Sequence, residues 1–181
     1  MKRLFIVFVI LIIMLFSIDS IYTQEQTTGG IIYGKDWACF VSAPDEWIMD
    51  STSLSRHNIF ALFYENGKTF SNNIPLIYIN TAELRIPSDT EMRIFITNDL
   101  EDFNEEGVVI NKIDLDFIDI EDAYYIYEID NIDGKYETVV YRRYNDICFI
   151  IVLNAPDKIL RIELNTKLKQ VIESMKFMDK Q

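Results

Sequence analysis

The chain has 181 residues, 17 of them basic and 29 acidic, a formal net charge of −12 and one histidine. That balance repels nucleic acid and anionic membrane surfaces, and a single histidine excludes H-E-x-x-H zinc chemistry and histidine-rich iron or copper sites. The two cysteines form no C-x-x-C pair, so neither a thioredoxin-type redox site nor a zinc ribbon is supported.

Lys2 and Arg3 precede an unbroken apolar run, residues 4–16. This run has signal-peptide length and falls short of the roughly 18–20 residues of a spanning helix. Ser17 and Ser20 supply small residues for cleavage, although Asp19 spoils the A-x-A pattern. Residues 1–23 are therefore expected to be a signal peptide, with an uncleaved anchor through residues 4–16 as the alternative. Without them, 15 basic and 28 acidic residues remain, net −13. The polar, glycine-paired stretch QEQTTGG, residues 24–30, reads as a linker to one domain, residues 31–181.

A first strand is expected over residues 37–43, closed by Pro44, which cannot continue an interior ladder. Asp45 and Glu46 turn the chain, and Trp47 folds back as a core plug. Further strands are expected at 58–64 and 75–82. Ser88 and Glu91 form a capping-box pair. Met92, Phe95, Ile96, Leu100 and Phe103 then recur at helical spacing, with Gly107 as the stop. A strand follows at 108–113.

Residues 123–130 and 135–144 flank Asp133-Gly134, a two-residue hairpin signal. Asn145-Asp146 is a second turn, before a strand at 147–154. In the simplest register one face carries Tyr124, Arg143 and Cys148, then Ile126, Tyr141 and Ile150, then Glu128, Val139 and Val152. The opposite face carries Tyr125, Arg142 and Phe149, then Tyr127, Val140 and Ile151, then Ile129, Thr138 and Leu153. Both faces are apolar at their centres, so both need a covering layer. Pro156 suits a first helical turn, and Leu160, Leu164, Leu168, Val171, Ile172 and Met175 form a second helical stripe. The expected fold is α+β: an α/β/α sandwich with a central, mainly antiparallel sheet of about six or seven strands and two main helices.

This order resembles the PsbP-like fold family. The similarity covers roughly residues 31–178 and rests on the corner Phe40, Pro44 and Trp47, "LIYI" (76–79), the capped helix "SDTEMRIFITNDL" (88–100), the three-stranded meander, and a last helix ending in "IESMKF" (172–177). The resemblance implies an α/β/α sandwich. It also implies a family of exported bacterial proteins, photosystem subunits and a nuclear-import factor that binds a small GTPase, with no shared catalytic site.

No catalytic residue and no metal ligand set is read from the sequence, and no cofactor is expected. His57 sits in a polar connection without a G-x-S-x-G partner. Asp114, Asp116, Asp119, Glu121 and Asp122 do not follow a calcium-loop pattern and read as a solvated edge. "DNIDG" (130–134) is explained by the hairpin. Arg142 and Arg143 are placed on opposite faces, which argues against one anion site. Tyr124, Tyr125, Tyr127, Tyr136, Tyr141 and Tyr144 are either an aromatic interface or ordinary strand packing. Cys39 and Cys148 are either a disulfide or buried thiols. The leading expectation is a non-enzymatic, exported (periplasmic or extracellular) module that binds a protein partner or assists an envelope complex. The alternatives are a small-ligand or calcium carrier and, as a minor one, a hydrolase.

Overall fold

The computed structural model describes residues 26–50, 59–70, 74–82, 84–115 and 124–178. The expected signal peptide, His57, and Asp116, Asp119, Glu121 and Asp122 lie outside them. Among the described residues, eleven strands and two helices follow in chain order. These are β1 (Gln26–Thr27), β2 (Gly29–Tyr33), β3 (Ala38–Ser42), β4 (Trp47–Asp50), β5 (Ala61–Glu65), β6 (Leu76–Thr81), α1 (Asp89–Glu101), β7 (Val109–Ile113), β8 (Tyr124–Ile132), β9 (Lys135–Tyr144), β10 (Ile147–Ala155), α2 (Lys158–Ser174) and β11 (Lys176–Met178).

The large antiparallel sheet has the order β1-β4-β5-β6-β10-β9-β8-β7; a smaller one has the order β11-β3-β2. Both faces of the large sheet are covered, as its composition demanded. On one side, α2 and the small sheet enclose a core that includes Cys39, Val41, Trp47, Phe63, Ile126, Phe149, Leu168 and Val171. On the other, α1 lies over Ile129, Val139, Tyr141, Cys148 and Val152 through Met92 and Ile96. The α/β/α sandwich is thus the observed fold.

The capping of α1 follows the sequence. The Ser88 hydroxyl accepts from the Glu91 backbone N–H at 3.3 Å and donates to the Glu91 carboxylate at 2.7 Å. The helix ends at Glu101 rather than running to Gly107, which instead takes φ +92° in the turn into β7. Pro156, expected in the first helical turn, lies just before the N-cap Asp157, whose carboxylate accepts from the Leu160 N–H at 2.8 Å. The last helix stops at Ser174, and Lys176 and Phe177, expected at its end, instead belong to β11, which pairs with β3.

Two other expectations are corrected. The stretch 24–30, read as a linker, is strand from Gln26 onward: β1 pairs with β4 and β2 with β3. Polar and glycine residues suit this place because the ladder needs only backbone. A Cβ at Gly29 would stand 2.7 Å from the Val41 carbonyl. The register of β8 is also displaced by one residue. Tyr124 pairs with Arg142, Ile126 with Val140 and Glu128 with Thr138, whereas β9 and β10 pair as expected. The cause is a bulge at Asn131, which adopts φ +69° and donates its side-chain N–H to the Gly107 carbonyl at 3.2 Å. The turn itself is as read: Asp133 and Gly134 both take positive φ between the paired Ile132 and Lys135.

The cysteines occupy different cores, Cys39 beside α2 and Cys148 beneath α1, and both are free thiols. The large sheet stands between those cores, so a disulfide would require them to merge.

Candidate protein-interaction surface

Strand alternation builds the site. In the small sheet Ile32, Cys39, Val41 and Phe177 point inward. Their neighbours point outward in paired rows: Ile31, Phe40 and Lys176 in one, Tyr33, Ala38 and Met178 in the next. Tyr33 is 72% exposed, Ile31 57%, Phe40 39% and Met178 38%. Four large apolar side chains therefore share one solvent-facing sheet surface. Exposed single hydrophobics need no explanation, but a contiguous group of this kind is a candidate interaction surface. Leu84, Ile94 and Val109 are also exposed, each on a different part of the fold, and Ile159 and Ile162 form an exposed pair on α2.

The surface continues into a groove of about 390 Å³ between the end of β3, the last turns of α2 and the start of β11. Phe40, Pro44, Asp45, Gln170, Glu173 and Lys176 line it. The corner Phe40–Pro44–Trp47 thus has two sides. Its inner side is the expected core plug, with Trp47 only 7% exposed. Pro44 does end the β3 ladder, and its carbonyl accepts from the Trp47 N–H at 3.0 Å. Sequence reasoning missed the groove on the outer side.

Hydrogen bonds hold that corner rigid. The Asp45 N–H donates to Gln170 Oε1 at 3.2 Å, and Gln170 Nε2 returns a bond to Asp45 Oδ2 at 2.9 Å. Lys167 Nζ donates to the Asp45 carbonyl at 2.8 Å. The Ser42 N–H donates to Ser174 Oγ at 2.9 Å. A surface fixed in this way loses little conformational freedom on binding.

The residues singled out from sequence do not assemble into one centre. The meander tyrosines divide between two faces. Tyr124 and Tyr144 pack with the α2-side core, while Tyr125, Tyr127 and Tyr141 lie beneath α1. Tyr144 stacks on Phe177 with centroids 3.9 Å apart, and Tyr141 donates to Asp99 at 2.5 Å. Arg142 and Arg143 do face opposite ways. Arg142 lies over the rings of Phe177 and Tyr124, and Arg143 pairs with Asp89 at 2.6 Å. Asp114 is exposed.

The buried titratable groups are poorly suited to nucleophilic work. Burial pushes the Cys148 thiol up to about 12, helped by the Asp99 charge. Burial likewise pushes Cys39 up to about 12, against the opposing pull of Arg142. Asp99 is raised by burial, with the Tyr141 hydrogen bond acting the other way. Among the described residues, no three His, Cys, Asp or Glu side chains converge as metal ligands.

The fold is similar to that of solved structures of Mog1 and of a cyanobacterial PsbP, in keeping with the resemblance read from the sequence. A single-substitution mutant of Mog1 matches with a TM-score of 0.50 and 13% identity, over 83% of this chain and 96% of that one. The Saccharomyces cerevisiae Ran-binding protein Mog1p gives 0.48 and 13%, over 84% and 97%. Cyanobacterial PsbP (CyanoP) from Synechocystis sp. PCC 6803 gives 0.46 and 12%, over 89% and 99%. These likenesses concern the fold. No family model matches the sequence, and no curated protein does.

Proposed function

We propose that this chain is an exported, non-enzymatic module, a single domain that begins with β1 rather than at residue 31, and that it binds a protein partner through the outer face of the small sheet. The observation that carries this reading is the outward row of Ile31, Tyr33, Phe40 and Met178, continuous with the Pro44 groove. Charge specifies the partner's chemistry. The chain is net −12, and the charged groove lining is Asp45 and Glu173 against Lys176. A segment that is apolar at its centre and basic at its rim complements that surface. Export rests on Lys2, Arg3 and the apolar run 4–16. Among the described residues no helix is long and apolar enough to cross a membrane.

The test is site-specific photocrosslinking in the native envelope, with the reactive amino acid placed at Tyr33 or, as a control, at Ile94. A discrete heterologous adduct is expected from position 33 alone. Phe40→Asp should weaken it by about 2 kcal/mol, the scale of an interface anchor, without lowering the melting temperature. Equal labelling from position 94, or an adduct containing only a second copy of the chain, would overturn the reading.

A further inference from the structure

On the opposite side of the large sheet, α1 and the β7–β8 edge enclose a second cleft of about 370 Å³. It follows directly from the two periodicities. Arg93, Ile96 and Thr97 sit at i, i+3 and i+4 on one face of α1. Lys112 on β7 pairs with Tyr127 on β8, and Tyr125 lies two residues along the same face. These six side chains form the lining.

Its charge runs against the net acidity of the chain. The lining carries two cations and no carboxylate, in a chain with 29 acidic residues. Both cations converge on one ring: Arg93 Nε donates to Tyr125 Oη at 3.2 Å, and Lys112 Nζ lies 5.4 Å from the Tyr125 centroid. Among the described residues neither has a carboxylate within ion-pair distance; Asp89, one turn earlier on α1, pairs with Arg143 at 2.6 Å and acts on Arg93 only through its charge. The bond through Nε aligns the guanidinium and leaves its terminal nitrogens for an oxyanion. Thr97 Oγ spends its proton on the Arg93 carbonyl at 2.9 Å, so the donors that remain are the two cations and the tyrosine hydroxyls. Ile96 supplies an apolar floor.

We infer that this cleft binds a small phosphate monoester with an apolar or aromatic body. Two cations match the nearly two negative charges of a phosphate monoester at neutral pH better than the single charge of a carboxylate. The tyrosine rings receive the body. A soluble ester fits better than a lipid headgroup, because the net −12 charge opposes an anionic bilayer. The site lies on the other side of the sheet from the protein-interaction surface and stands or falls without it.

The experiment is an amide chemical-shift titration of the full 15N-labelled chain in nonionic detergent. Phenyl phosphate, inorganic phosphate, benzoate and sodium chloride are the probes. Phenyl phosphate should saturate in the millimolar range and shift the amides around Arg93, Thr97, Lys112 and Tyr125, with inorganic phosphate weaker and benzoate weakest. Arg93→Gln with Lys112→Gln should weaken phenyl phosphate about tenfold or more while the rest of the spectrum is retained. Benzoate binding as tightly as phenyl phosphate would overturn the inference. So would equal shifts from chloride, shifts centred on Lys167 and Lys176, or unchanged binding by the double variant.

Discussion

Arg161 is fully buried on α2 beneath the β8–β9 hairpin, and its removal is the sharpest test of what holds that helix down. Its Nη1 donates to Asp130 at 2.5 Å and to the Glu137 carbonyl at 3.3 Å. Its Nη2 lies 3.0 Å from Glu128, near enough to attract but outside hydrogen-bond geometry. Taking away one member of a buried ion pair costs about 3–5 kcal/mol, chiefly because its partners are left uncompensated. Here the Asp130 and Glu128 side chains keep 13% and 20% exposure, and Lys158 stays on Asp130 at 2.7 Å. The low end applies, so Arg161→Met should cost about 3 kcal/mol, or roughly 6–12 °C in melting temperature. Urea unfolding followed by circular dichroism measures it. Adding Glu128→Gln and Asp130→Asn removes the orphaned charges and should bring stability back to within about 1 kcal/mol of the parent. A single-variant loss below about 1 kcal/mol, or a triple variant no better than the single, would refute the orphaned-charge account.

Two further predictions concern buried titratable groups. Glu137 is raised above its ordinary 4.5 by burial, against the Asn154 hydrogen bond and the Lys135 charge. Between 4.5 and that higher value the folded state holds a proton that the unfolded chain has released, so this group erodes stability as pH rises. Glu137→Gln keeps an acceptor for Asn154. It should match the parent in acid and gain on it as urea midpoints are followed from about pH 4 to about pH 8; a pH-independent difference would contradict this. Cys39 and Cys148, both pushed up to about 12, should resist a disulfide-exchange reagent in the native protein, and two thiols should appear on unfolding without reductant. Fast native labelling, or fewer than two thiols, would count against that burial.

Much of the architecture was legible because apolar periodicity speaks directly for it. The Met92–Phe103 stripe, the Asp133-Gly134 turn and the doubly apolar meander lead to α1, the hairpin and the two covering layers. What escaped is what periodicity does not encode. Arg161 and Asn165 are polar at core positions of α2, and only their partners on a distant hairpin explain them: Asp130 for the first, and the Thr138 hydroxyl, 3.0 Å from Asn165 Oδ1, for the second. β2 hides in a glycine-rich stretch because its place depends on a close backbone approach. The interaction surface escaped with it, since Ile31 and Tyr33 read as outward only once β2 is a strand. Cys39 and Cys148 could be assigned to separate cores only after the small sheet was placed. The phosphate cleft needed the β8 register, which the bulge had shifted.

That bulge also governs how this protein should be compared with others. A relative threaded onto residues 124–130 without a gap opposite Asn131 would have every side chain of the strand assigned to the wrong side. Drawing Asn131 into the ladder opposite Tyr136 would leave the turn intact yet swing Tyr125 and Tyr127 away from α1, emptying the cleft and crowding the helix on the far side. A single amide in a left-handed conformation therefore sets the phase of a whole strand.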